Sequence, residues 1–129
     1  MSPKPQIKSF LIADMVIQEQ GTYKWSAIGI FDRIYSKNFP CVHANMALYV
    51  KLADALGDYD VRVEFCDANM QKLSVFQGVK INVADKLSAP ECGIQTKNLI
   101  IPRPGKYTFD LYCNDQHCGS LPLFVEQLK

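Results

Sequence analysis

Apolar residues recur along much of this chain at every second position. Over residues 59–66, Tyr59, Val61, Val63 and Phe65 alternate with Asp60, Arg62 and Glu64. Tyr107, Phe109, Leu111 and Cys113 alternate in the same way with Thr108, Asp110 and Tyr112. An extended chain turns successive side chains to opposite sides, so each segment predicts a strand with one buried face. Leu73, Val75, Val79, Ile81 and Val83 form a third series, with Gly78 at a predicted bulge. Leu121, Leu123 and Val125 form a fourth.

Other stretches are apolar in both phases. "FLIADMVI" (residues 10–17) and "WSAIGIF" (residues 25–31) read as central strands joined by a hairpin near Gln20-Gly21-Thr22. "ALYVKLA" (residues 47–53) and "NLIIP" (residues 98–102) read as further strands. Turn-forming residues separate them at Asn38-Phe39-Pro40, Gly57-Asp58, Asp67-Ala68-Asn69, Ser88-Ala89-Pro90 and Arg103-Pro104-Gly105. The long "SKNFPCVHANM" stretch reads as a connection between sheets, and one helical turn fits within residues 84–92. About eight short strands at this spacing predict an all-β fold, an antiparallel β-sandwich of immunoglobulin-like or related type. Within "PGKYTFDLY", glycine stands two residues before a tyrosine that opens a strand. This resembles the tyrosine corner of such sandwiches, whose hydroxyl bonds back to the preceding loop.

The stretches "AIGIFDRIYSKNFP" (residues 27–40), "LYVKLADALGDYDVRVE" (residues 48–64) and "IPRPGKYTFDLY" (residues 101–112) resemble, in order and spacing, a family of small, uncharacterised bacterial proteins. The resemblance covers nearly the whole chain. It implies a single-domain β-sandwich and no catalytic residues. The family's last hairpin carries a compact Asn-Gly or Asp-Gly turn where this chain has Asn114-Asp115.

Composition narrows the picture further. The 129 residues suit one domain with its own core, residues 1–6 forming a flexible N-terminal arm. The formal charge is +1, from 14 basic and 13 acidic residues spread along the chain. No basic run supplies the electrostatic footprint of a nucleic-acid binder. The apolar stretch behind the basic N-terminus is interrupted by Asp14, and the polar Gln18-Glu19-Gln20 follows it in place of a small-residue cleavage site. No stretch has the ~18 apolar residues of a membrane helix. With an odd count of 5 cysteines, free of C-x-x-C spacing, the expectation is a cytoplasmic protein with reduced thiols.

The candidate chemistry lies in three places. In "YCNDQHCG" (residues 112–119), three registers are open. An Asp115-Gln116-His117 loop sets Cys113 opposite Gly119. A two-residue Asn114-Asp115 turn sets Cys113 opposite Gln116 and Leu111 opposite Cys118, and needs a bulge near Gly119. Only an Asp115-Gln116 loop puts Cys113 and Cys118 face to face. Cys113, His117 and Cys118 make three ligands where a structural zinc needs four. The expectation is a polar turn flanked by semi-buried thiols, with neither metal nor cofactor.

Cys41 and His43 offer a nucleophile and a base, but no oxyanion element or orienting third group accompanies them. Asp14 and Asp32 each interrupt an apolar strand. They are expected either in a buried ion pair, for which alternation offers Arg62 or Arg103, or at edge positions open to water. Finally, Tyr49, Tyr112 and Phe124 fall out of phase with the inward positions of their strands, which suggests a contact face. The expected function is thus a non-enzymatic protein-interaction module, self-associating through a sheet face. Two alternatives remain open. One is a small enzyme or ligand-binding protein using Asp14/Asp32 or Cys41/His43. The other is a structural subunit of a bacterial or phage assembly.

Overall fold

The structure, a computed structural model, describes residues 2–129. Nine strands follow one another: β1 (Gln6–Gln18), β2 (Trp25–Ile30), β3 (Arg33–Ser36), β4 (Cys41–Ala53), β5 (Gly57–Cys66), β6 (Lys72–Val83), β7 (Glu91–Ile101), β8 (Gly105–Cys113) and β9 (Gln116–Gln127). They form two sheets, in the orders β2-β1-β4-β7 and β3-β9-β8-β5-β6. No helix occurs among the described residues. Within residues 84–92 the chain makes a tight turn instead, in which the Asp85 carboxylate accepts the Leu87 N–H at 2.9 Å. Competition of this kind from an Asp side chain disfavours a helical turn.

Four expectations need correction. The strand count is nine rather than eight, because a short β3 follows β2 after only Phe31 and Asp32. One pairing is parallel: β3 runs alongside β9, while every other pair is antiparallel. The stretch read as a long loop before Met46 already belongs to β4, which opens at Cys41. Lastly, β2 is an edge strand, not a central one.

The core draws its side chains from both sheets. Ile12, Leu48, Val50, Leu52, Ile94 and Ile101 come from the first, and Val63, Phe65, Tyr107, Phe109, Leu111 and Leu123 from the second. Phe65 lies at its centre, stacked on Tyr107 at 5.1 Å between ring centroids and tilted against Phe109 at 4.9 Å. The Tyr107 hydroxyl donates to the Arg103 carbonyl at 2.5 Å and accepts the Arg103 N–H at 3.3 Å. Gly105, between them, has φ of +146°, a backbone state that side chains disfavour. The tyrosine corner is therefore present. At the other end, the Tyr59 hydroxyl donates to the Pro3 carbonyl at 2.5 Å, which ties residues 2–5 to the start of β5. Residue 1 of the arm lies outside the described residues.

The register of the β5–β6 pair steps from Val61↔Val79 to Val63↔Phe76, which leaves one unmatched residue in β6 beside Gly78 at φ +93°. This is the bulge predicted there. In the last hairpin, Asn114 and Asp115 both have positive φ, 51° and 64°, and Cys113 faces Gln116. The turn of the second register is thus the one adopted, but the bulge comes one residue earlier, at Cys118, so Leu111 faces Gly119 and not Cys118.

Candidate functional site: an apolar sheet edge

The first half of β1 pairs with β4 and the second half with β2. Beyond Ala13 the β1–β2 hairpin leaves β4 and lies over the outer face of its own sheet. A Cβ added to Gly93 on β7 would stand 3.1 Å from both Val16 Cγ1 and Trp25 Cζ3. The bare backbone of Gly93 is what lets these two side chains rest on the sheet.

Partners in an antiparallel pair share a face, so the register Met15↔Ile28, with Ile17 and Ile30 one step to either side, puts these four side chains on the hairpin's opposite, outward face. They are 51%, 52%, 44% and 63% exposed. Beside them runs the free edge of β2, whose sequence WSAIGI holds no charge and no proline. The other edges are protected in familiar ways. Edge strand β3 has only 4 residues and holds Arg33. Strand β6 carries Lys72, Lys80 and a bulge, and β7 carries Glu91 and Lys97. Among the described residues, β2 alone offers an uncharged edge next to a cluster of exposed branched side chains.

A shallow groove of about 400 Å³ adjoins this edge, lined among others by Asp14, Ile30, Phe31, Arg33, Tyr35 and His43. Two residues of the enzyme alternative, Asp14 and His43, therefore share one depression. Asp32 lines a different groove with Phe10 and Leu121, and Cys41 lines neither. Of the two arrangements expected for Asp14 and Asp32, the buried pair with an arginine is not adopted, and both carboxylates stand open to water. Asp14 sits over Gly29, where a Cβ would come 2.4 Å from its carboxylate, and Gly29 has φ of +72°. His43 packs its ring on Phe31 at 5.8 Å.

The two arginines have other partners. Arg103, itself exposed, donates to the buried Asp67 carboxylate at 2.8 Å. The N–H groups of Gln71 and Asn69 also bond Asp67, each at 2.9 Å, closing the turn predicted at Asp67-Ala68-Asn69. These bonds, that from Gln71 foremost, hold the Asp67 carboxyl below the ordinary aspartate range. Half-buried Arg62 pairs with Glu64 at 3.0 Å and with Asp115. A second buried carboxylate, Asp110, bonds His117 at 3.1 Å and Ser120. Asp67 and Asp110 are the buried carboxylates that the pattern did not single out. Asp110 occupies an ordinary outward position of an alternating strand, and nothing local marks it as covered.

The three outward aromatics are indeed out of phase with the core, but they lie on opposite sides of the molecule, so no single contact holds them all. Tyr49 is on the first sheet, under Trp25 at 6.1 Å, and its hydroxyl donates to Glu91. Burial, then the Glu91 carboxylate, pushes that hydroxyl's pKa up to about 12. Tyr112 and Phe124 are on the second sheet, where Arg62 lies over the Tyr112 ring at 4.4 Å and Arg33 over Phe124 at 5.0 Å. Each ring already has an intramolecular partner. Among the described residues, no group of three or more His, Cys, Asp or Glu side chains is placed to hold a metal ion. No helix there is long and apolar enough to cross a membrane.

The chain belongs to a family of unknown function, DUF6941, whose profile matches residues 8–126. No curated protein matches it in sequence. Among solved structures it is similar to part of the Pseudomonas fluorescens alkylpurine DNA glycosylase AlkC, seen bound to DNA containing an abasic site analog. That likeness has a TM-score of 0.56 at 11% identity and covers 95% of this chain but 30% of the glycosylase. An immunoglobulin-like protein from Pseudomonas aeruginosa aligns over 95% of this chain and 97% of its own length, at 12% identity and a TM-score of 0.47. At such identities the glycosylase comparison speaks for the fold alone.

Proposed function

We propose that this is a cytoplasmic, non-enzymatic interaction module with an immunoglobulin-like sandwich fold, and that it associates with a second copy of itself through the free edge of β2. The observation that carries the reading is the cluster Met15, Ile17, Ile28 and Ile30 beside an edge strand without charge or proline. Two such edges can pair antiparallel about a two-fold axis, extending the sheet and setting Ile28 and Ile30 of one copy beside those of the other on a common face. An uncharged strand suits its own copy, because neither side brings a charge that must be matched. Neither nucleic acid nor membrane enters this reading.

The non-enzymatic part draws support from the separation of Asp32 and Cys41 from the Asp14–His43 groove. That groove suits a partner's side chain at the margin of the contact better than it suits chemistry, which would need an enclosed site. Sedimentation of the full chain over a range of concentrations tests the proposal. A reversible monomer–dimer equilibrium is expected, weakened by charge placed on β2. A monomer at all concentrations overturns it.

A further inference from the structure

Cys113 and Cys118 are brought together by the register of the last hairpin. Cys113 pairs with Gln116 and Leu111 with Gly119, so two steps on β8 correspond to three on β9. His117 takes the place opposite Tyr112, which leaves Cys118 as the extra residue of a bulge. Unlike its neighbours, Cys118 is free of the strict alternation, and its side chain leans on the core in which Cys113 is fully buried. The start of β1 closes over the spot: Ile7 occupies the space a side chain on Gly119 would need.

The Cys113 thiol beside the Cys118 sulfur is the strongest single influence on either group, while the Cys118 thiol itself donates to the Gln116 carbonyl at 3.5 Å. The Cys113 thiol is raised, as burial also raises it, and Cys118 is lowered to about 7 against the opposing effect of burial. Lys4 from the arm and His117 from the same strand also favour the Cys118 thiolate, while Cys92 on β7 raises Cys113 further. Cys118 remains partly open to solvent and Cys113 does not. A partly exposed thiolate beside a protonated, sheltered thiol is the arrangement of an attacking and a resolving cysteine.

We propose that Cys118 and Cys113 form a reversible redox pair that exchanges with small-molecule disulfides such as oxidised glutathione. The Cys118 thiolate attacks one sulfur of the disulfide, forming a mixed disulfide and releasing one small thiolate, which takes a proton from solvent. The Cys113 thiol then loses its proton to solvent, and its sulfur attacks the Cys118 sulfur. The Cys113–Cys118 bond forms as the second small thiolate leaves and is protonated. Two protein thiols and one small disulfide thus become one protein disulfide and two small thiols, with two electrons passed to the small molecule. The proposal stands independently of how the chain associates.

The test exposes the reduced full-length protein to a mixture of oxidised and reduced glutathione, quenches it with acid, alkylates it and maps the peptides. A Cys113–Cys118 link is expected, with Cys41, Cys66 and Cys92 alkylated. Cys113→Ser, or Cys113→Ala if serine in the core prevents folding, should stop at a glutathione adduct on Cys118. Cys118→Ser should leave Cys113 reduced. Free alkylation of both residues in the wild type, a mixed disulfide that persists there, or a link to another cysteine overturns the proposal.

Alkylation rate against pH gives a second readout. Half of Cys118 is thiolate near pH 7, against a few per cent for an ordinary thiol. After allowance for the weaker nucleophilicity of a less basic sulfur, it should react about threefold faster. Cys113→Ala should move the midpoint of that profile upward. A wild-type midpoint at the ordinary ~8.5 would overturn the assignment of Cys118 as the attacking thiol.

Discussion

Replacing Ile28 by lysine places a charge at the middle of the β2 edge without touching the core, since Ile28 is 52% exposed. The size of the effect follows from what self-pairing would cover. Full burial of an Ile or Met side chain is worth about 1.5–3 kcal/mol, so the exposed half of each is worth about 1 kcal/mol. Ile28 and Ile30 of each copy, set beside those of the other across the joined edges, give about 4 kcal/mol in all, and four new backbone hydrogen bonds add about 4 kcal/mol. Loss of overall motion and ordering of side chains costs on the order of 4 kcal/mol, the lower end of the range for association. The balance of about 4 kcal/mol corresponds to a dissociation constant of about a millimolar.

Lysine at position 28 removes about 2 kcal/mol of apolar burial from the pair and sets two ammonium groups near the symmetry axis, so dimerisation should weaken by about a hundredfold or more. Sedimentation velocity, run at concentrations spanning the wild-type constant, reads this directly. Leu87→Lys is the control, as Leu87 is 92% exposed on a turn away from β2 and should leave the equilibrium unchanged. The reasoning is refuted if the wild type stays monomeric well above that constant, or if Ile28→Lys and Leu87→Lys dimerise equally.

Three further outcomes test the fold that positions this edge. Tyr107→Phe leaves the Arg103 N–H and carbonyl without their partner and should cost about 1–3 kcal/mol in urea unfolding; an unchanged midpoint would show the tyrosine corner to be idle. Gly93→Ala crowds Val16 and Trp25, so the emission of the chain's 1 tryptophan should shift to the red as the hairpin lifts; unaltered emission refutes the contact. Asp67 titrates below its ordinary 3.8 in the fold, so its contribution to stability is complete above that value and is lost as pH falls through the folded one. The wild type should therefore lose stability in acid more steeply than Asp67→Asn, and parallel slopes in acid urea titrations would contradict this.

Much of the fold was legible because alternation speaks directly about faces. The inward series of β5 and β8 are buried as the pattern requires, as are Leu123 and Val125 of β9, and Gly78 and Gly105 mark a bulge and a corner through the backbone states they permit. The candidate site was less legible, because phase shows which way a side chain points and not what lies over it. Tyr49, Tyr112 and Phe124 do point outward, yet Trp25, Arg62 and Arg33 lie against them. Each of these partners is distant in sequence or belongs to a neighbouring strand. Asp67 found Arg103 across 36 residues in the same way.

The edge position of β2 shows the limit most clearly. A strand apolar on both faces is ordinarily one with layers on both sides, and "WSAIGIF" fits that description. In the structure only the face with Trp25 and Ala27 is covered, by the hairpin's own sheet, while Ile28 and Ile30 face outward. Sequence records how many faces a strand has prepared for burial, whichever molecule supplies the cover. When a chain's own elements leave one such face bare, the pattern that suggested a central strand becomes an argument for a missing neighbour. A second β2 in antiparallel register would make this strand an inner one and set the bare Ile28 and Ile30 beside their counterparts on one common face.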